Sequence, residues 1–308
     1  MAETSIEWTD RVWNPVRGCA IVSKGCTNCY AMKQAHRFSG KGLAYEGLTK
    51  VTKGGPVWTG TTTLAYDAFD APLRVKKPAR WFVNSMSDLF HEDVAYSTIR
   101  GLFGVMAACP QHTFQILTKR AAVMHAFFKN FAMHSANTAP AVVLHESVKG
   151  LLGYSHPFRP AINEAQWPLP NVWLGVSVED QAAADERIPL LQQCPAAVHF
   201  LSCEPLLGHI MIGEAASPYP GIGWVVAGGE SGPGARPMHP NWARSLRDQC
   251  QSAGVPFLFK QWGAWASVSE AEGAGPHYRF EDGATVRRVG KKVAGRALDG
   301  VVWQEFPR

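Results

Sequence analysis

The chain has 308 residues, 46% of them hydrophobic and 18% charged, with a formal charge of +5 and a pI near 8.8. This is a globular balance, long enough for one large α/β domain with insertions, and no apolar run of about 18 residues offers a membrane span. The opening Met1-Ala-Glu-Thr-Ser-Ile-Glu-Trp is acidic and lacks the apolar core of a secretory signal, so a cytoplasmic protein with no membrane partner is expected.

In chain order, the first feature is a cysteine cluster, Cys19, Cys26 and Cys29, which predicts a loop followed by a helix. Gly40–Pro78, rich in Gly, Thr and Lys, then reads as a long loop or small subdomain. Apolar, β-branched runs predict strands at Arg80–Asn84, Thr113–Leu117, Val172–Val176, Val198–Leu201, Trp224–Ala227 and Pro256–Phe259. Between them, helical spacing predicts Ser97–Cys109, Arg120–Ala132, Asp180–Gln193 and Asn241–Gly254. A second insertion, Asn130–Asn171, carries Pro140, Pro157, Pro160, Pro168 and Pro170 and likewise reads as a long loop or small subdomain. The alternation predicts an α/β fold, a partial or full parallel (β/α) barrel over residues 1–262 with insertions at about 40–78 and 130–171. Residues 263–308 read as a small appendage, with TVRRVG and VVWQEF as a hairpin.

Seven cysteines form no even disulfide framework, and four of them, Cys109, Cys194, Cys203 and Cys250, are scattered. The other three lie within eleven residues as C-x6-C-x2-C, in Gly18-Cys19-Ala-Ile-Val-Ser-Lys-Gly-Cys26-Thr-Asn-Cys29-Tyr-Ala. Three thiolates on a cubic 4Fe–4S cluster leave one iron without a protein ligand, and that iron can chelate the amino and carboxylate groups of S-adenosylmethionine. A structural zinc site is the alternative, with His36, His91 or His112 as fourth ligand. His36 would stand two helical turns from Cys29, about 10 Å away.

The three-cysteine loop, the helix after it and the βα rhythm resemble the radical S-adenosylmethionine (radical SAM) superfamily, whose partial α/β barrels carry the cluster loop after the first strand. The ending Cys26-Thr-Asn-Cys29-Tyr-Ala is similar to its spore photoproduct lyase-like branch, which acts on DNA lesions. The stretch from about Ile6 to Trp265 also resembles a phage-associated, uncharacterised family named for its three-cysteine motif. The superfamily's usual spacing is C-x3-C-x2-C, so the six-residue first gap is a departure. The resemblance implies reductive cleavage of S-adenosylmethionine to a 5′-deoxyadenosyl radical, fed by an electron donor such as flavodoxin or ferredoxin. It favours repair or modification of a nucleic-acid base or nucleotide.

The same resemblance makes the ends of successive strands the pocket lining. By position, Asn84, Ser85 and Ser87 correspond to the element that meets the methionine amino group, with helix capping as the alternative. Lys119 and Arg120 can hold a carboxylate or phosphate. Ser177 with Glu179, and Ser202 with Glu204, repeat one pattern in which both side chains point the same way, toward ribose, methionine or substrate; Lys119, Arg120 and Lys260 are available as partners. Gly228, Gly229 and Glu230 form a loop that can approach the cofactor closely, or a plain tight turn. Lys260-Gln261-Trp262 ends the last strand with a charge and a stacking face, and Cys203 is a candidate hydrogen donor to a substrate radical. Against this catalytic reading stands a non-catalytic, iron–sulfur- or zinc-stabilised nucleic-acid-binding protein that uses its basic insertions for phosphates.

Overall fold

The computed structural model describes residues 4, 6–153, 156, 166–213 and 221–307. Seven strands form one sheet: β1 (Arg11–Trp13), β2 (Arg80–Val83), β3 (Thr113–Thr118), β4 (Val172–Ser177), β5 (Val198–Cys203), β6 (Ile222–Gly228) and β7 (Phe257–Gln261). They pair strictly in chain order from β1 to β7. Direct registers are parallel at β1–β2, β2–β3, β5–β6 and β6–β7. This is a parallel α/β sheet of the partial-barrel type, since β1 and β7 do not pair with each other among the described residues. Strands such as Trp81-Phe82-Val83 and Trp224-Val225-Val226-Ala227 are buried along their length, as a sheet covered on both faces requires.

The helices are α1 (Tyr30–His36), α2 (Tyr96–Ala107), α3 (Ala121–His134), α4 (Pro140–Leu152), α5 (Gln181–Gln192), α6 (Pro240–Ala253) and the short α7 (Lys291–Ala294). The ends of α6 explain its boundaries. His239 caps its first turn, accepting from the Asn241 amide at 3.1 Å, and Gly254 ends it in the left-handed conformation at φ +66°. α4 lies in the second insertion, which was expected to be a long loop or small subdomain. Its Pro140 stands in the first turn, where a missing amide hydrogen costs nothing, so that proline starts a helix instead of breaking one. Pro157 and Pro160 lie outside the described residues. In the first insertion, Thr49–Thr52 and Gly55–Trp58 pair as an antiparallel hairpin.

Two compact units divide the chain. One comprises Met1–Val22, Cys29–Gly175 and Gln193–Ala197, the other Ser23–Asn28, Val176–Gln192 and Val198–Arg308. In the first unit α2 and α4 pack closely because Gly101 and Gly104 expose α2 backbone; a Cβ on Gly104 would stand 2.6 Å from the Leu144 carbonyl oxygen. In the second unit Thr285–Arg288 forms the centre of an antiparallel sheet with Trp265–Ser267 and His277–Arg279. Its partner is therefore not the VVWQEF segment. That segment runs along β7 instead: the Phe259 amide donates to the Trp303 carbonyl at 3.1 Å, and the Glu305 amide to the Phe257 carbonyl at 3.1 Å. The edge strand satisfies its backbone with the nearest extended chain.

Candidate metal and cofactor site

All seven cysteines are free thiols, and burial sorts them into two classes. Cys109, Cys194, Cys203 and Cys250 are buried, whereas Cys19, Cys26 and Cys29 are half-buried and chemically accessible. In the first unit, Cys19 and Cys29 both pack against one small cluster of Ala31, Met32, Ala35, Tyr45, Leu48 and Trp58. In the second, Cys26 closes a short 3-10 turn, Lys24–Cys26, with its sulfur 3.9 Å from Ser23 Oγ. Among the described residues no three His, Cys, Asp or Glu side chains converge as a ready-made metal cage.

Around Cys19, a buried charge network defines the chemistry. Arg120 Nη1 points at the Cys19 sulfur from 3.8 Å and at Asp88 Oδ2 from 3.2 Å, while its Nε donates to Glu92 at 2.8 Å. Its Nη2 is buried and has no hydrogen-bond partner. Burial pushes the Cys19 thiol up to about 12, the Asp88 charge adds to the rise, and Arg120 pulls against both. A thiolate at Cys19 therefore requires added positive charge, which a metal supplies, and Arg120 holds a spare donor for it. The donor set of three accessible thiols with a guanidinium beside one of them fits an anionic iron–sulfur cluster. For zinc, each expected fourth ligand keeps one ring nitrogen in a hydrogen bond, while the buried Nε2 of His91 and Nδ1 of His112 have no partner. His36 Nδ1 bonds Thr49 Oγ1 at 3.1 Å, and His112 Nε2 bonds the Val75 carbonyl at 2.9 Å. His91 uses Nδ1 to accept from the Asp93 amide.

Asn84, Ser85 and Ser87 follow β2, and the structure gives them a local task. Asn84 adopts φ +59°, its Oδ1 accepts from the Val16 amide at 3.4 Å, and its buried Nδ2 has no partner. Ser85 Oγ donates to Asn14 Oδ1 at 3.3 Å, and Ser87 Oγ to the Val16 carbonyl at 2.7 Å. The three staple the chain that leads from β1 into Cys19. Tyr30, directly after Cys29, adds a 2.6 Å bond from its hydroxyl to the Ser85 carbonyl. Asp88 accepts from Thr118 Oγ1 at 2.7 Å and from the Lys119 amide at 3.2 Å, which fixes the end of β3. The Lys119 side chain makes no ion pair among the described residues.

In the second unit, two strand-end carboxylates grip the Ser23–Asn28 loop. Glu179 accepts from Arg187 Nη1 at 2.9 Å and from the Gly25 amide at 3.3 Å. Glu230 accepts from Asn28 Nδ2 at 2.9 Å, from the Arg236 amide at 2.9 Å and from Arg236 Nη2 at 2.6 Å. Burial alone would raise the Glu230 carboxyl, but Arg236 and Asn28 hold it below its ordinary range. Both residues were expected to face cofactor, and both anchor the segment that carries Cys26. Ser177 and Ser202 are buried. Glu204 pairs with Lys260 Nζ at 2.9 Å and accepts from Gln261 Nε2 at 3.1 Å. Gly228 lies against that carboxylate, and Gly229 is needed where its backbone crosses the Trp262 carbonyl, with no room for a Cβ. Cys203, the expected hydrogen donor, lies at the end of β5. It is wholly buried on the strand face opposite Ser202, where burial, Cys250 and Glu179 push its thiol well up.

Asn14, Asn28, Glu92, Arg187 and Arg236 were missed. Only Asn28, a polar residue between two motif cysteines, and Arg236, six residues after Glu230, carried any signal in the sequence.

The parallel βα sheet with a half-exposed three-thiol loop after its first strand defines the class of arrangement. A family model described as "Protein of unknown function (DUF5131)" matches residues 3–307, and the chain belongs to that family. No curated protein matches it. Among solved structures, it is similar to a doubly substituted spore photoproduct lyase with bound AdoMet and dinucleoside spore photoproduct. Identity is 9%, coverage is 90% of this chain and 67% of that one, and the TM-score is 0.37. A second, spore photoproduct lyase complexed with dinucleoside spore photoproduct, gives 8%, 89%, 66% and 0.32. The chain thus spans about two thirds of the length of these lyase chains. Among the described residues no helix is long and apolar enough to cross a membrane.

Proposed function

We propose that Cys19, Cys26 and Cys29 hold a 4Fe–4S cluster with one open iron for S-adenosylmethionine, and that the chain is a radical SAM enzyme acting on a nucleic-acid base or nucleotide. The observation that carries this reading is the burial contrast: of seven free thiols, only the three in the C-x6-C-x2-C loop are accessible, and a buried arginine faces one of them. When bound, the cluster supplies the electron that cleaves S-adenosylmethionine to the 5′-deoxyadenosyl radical.

The chain's own residues do the holding. Asn84, Ser85 and Ser87 fix the approach to Cys19, Glu179 and Glu230 fix the loop around Cys26, and Arg120 offsets negative charge at the sulfur of Cys19. Lys119 remains the candidate for a carboxylate or phosphate of cofactor or substrate. A flavodoxin- or ferredoxin-type donor would deliver the electron. The nucleic-acid assignment draws on the positive charge.

Anaerobic purification with reconstitution tests the reading through iron, sulfide and 5′-deoxyadenosine formed under reduction. Four irons per chain with cleavage is the expected result. Iron without cleavage would favour the structural, nucleic-acid-binding alternative, and zinc alone in protein kept anaerobic would overturn the cofactor assignment. Cys26→Ala should lose cluster and cleavage together, while Cys250→Ala keeps both.

A further inference from the structure

The stretch 30–58 carries Lys33, Arg37, Lys41, Lys50 and Lys53 against a single carboxylate, Glu46, so it holds four of the chain's five net positive charges. The other 279 residues are nearly neutral. All five cations are exposed, and among the described residues none forms an ion pair. Glu46, itself exposed, accepts from the Gly42 amide at 2.7 Å.

Local structure leaves all five cations at exposed positions of α1, the loop after it and the hairpin, within the first unit. α1 buries Ala31, Met32 and Ala35 in the small cluster completed by Tyr45, Leu48 and Trp58. Helical spacing then turns Tyr30, Lys33, Gln34 and Arg37 outward together. The hairpin Thr49–Thr52/Gly55–Trp58 packs on α1 and is tied to it by the 3.1 Å bond between His36 Nδ1 and Thr49 Oγ1. It contributes Lys50 and Lys53. Large apolar side chains stand among the cations instead of being buried: Tyr30 is 56% exposed, Phe38 50% and Val51 69%. Cations interleaved with exposed rings suit one kind of partner, a flexible polyanion with stackable bases.

We infer that the outer face of α1 and the 49–58 hairpin form a binding surface for single-stranded nucleic acid, which the cations grip by its phosphates and Phe38 by stacking. The inference rests on the proposed substrate class but not on the cluster. Because α1 starts immediately after Cys29, a strand held there lies beside Cys29 of the same unit.

The test is fluorescence anisotropy of a labelled oligothymidylate and an oligouridylate of about 20 nucleotides, titrated with full-length protein without added iron over a range of salt. Single-stranded binding with a log–log salt slope near −3.5 is expected for five phosphate contacts at about −0.7 each. Lys33→Gln/Lys50→Gln/Lys53→Gln should weaken binding about 10- to 100-fold and flatten the slope by about 2. Phe38→Ala should weaken it about tenfold and leave the slope unchanged. A charge-matched control, Lys76→Gln/Lys77→Gln/Lys129→Gln, removes exposed cations elsewhere and should change neither. No binding at low salt, an equal loss in the control, or a preference for duplex or for anionic phospholipid vesicles would overturn the inference. Because metal-free protein is used, these outcomes stand apart from success or failure of cluster reconstitution.

Discussion

Asn28, between two motif cysteines, donates from Nδ2 to Glu230 Oε2 at 2.9 Å and to the Gly234 carbonyl at 2.8 Å, so the end of β6 holds the loop that carries Cys26. Glu230 is nearly buried and owes its charge to Arg236 and Asn28. Glu230→Gln should therefore cost about 1–3 kcal/mol, the range for hydrogen bonds to a buried charged group. Its pH signature is distinct. A carboxyl depressed in the folded state contributes fully above its unfolded value, 4.5, and loses that contribution as pH falls through the lower folded value. Urea midpoints for wild type and Glu230→Gln should differ at pH 6 and converge toward pH 3.

Arg120 and Asp88 form a buried pair, both under 10% exposed. Arg120→Met leaves the Asp88 carboxylate buried without its cation and should cost about 3–5 kcal/mol in denaturant unfolding. The double variant Arg120→Met/Asp88→Asn should recover part of that loss. Equal destabilisation by single and double variants would show that the pair is not coupled.

His112 is buried beside Trp81 and Phe114, and its Nε2 meets the Pro72 and Val75 carbonyls. Burial lowers its pKa, with Arg11 assisting and the two carbonyls opposing. A histidine depressed in the folded state favours folding above its unfolded value near 6.5, and that stability is lost as pH falls through the folded value. Stability should decline from pH 7 toward pH 5, with a shallower slope in His112→Gln than in wild type.

Glycines separate by what surrounds them. Gly229→Ala would drive a methyl into the Trp262 carbonyl, and Gly263, at φ +83°, meets the Glu230 carbonyl in the same crossing. Each alanine there should lower stability by at least about 1–3 kcal/mol. Gly150, inside α4 with nothing near its missing Cβ, should behave oppositely. Gly150→Ala should raise stability by about 0.5–1 kcal/mol in thermal unfolding.

Six of the seven sheet strands were legible in the sequence because strands buried on both faces are continuous apolar runs, as in Trp81-Phe82-Val83. β1 was not: three residues, Arg11-Val-Trp, are too few to show a period, and only pairing with β2 makes them a strand. α4 was hidden because a proline has opposite meanings in a loop and in a first helical turn. VVWQEF was misassigned since an extended segment does not encode its partner.

The spacing of Cys19, Cys26 and Cys29 is a covalent property of the chain, so the sequence alone determined that three thiols share one loop. It likewise determined that positive charge concentrates between residues 30 and 58. Which thiols are accessible, and which strand-end polar residues are spent on holding that loop, only the tertiary structure decided. Burial and hydrogen-bond pairing arise between residues far apart in the chain: Gly25 and Glu179, Asn28 and Glu230, Cys19 and Arg120. No local pattern of residue types records those meetings.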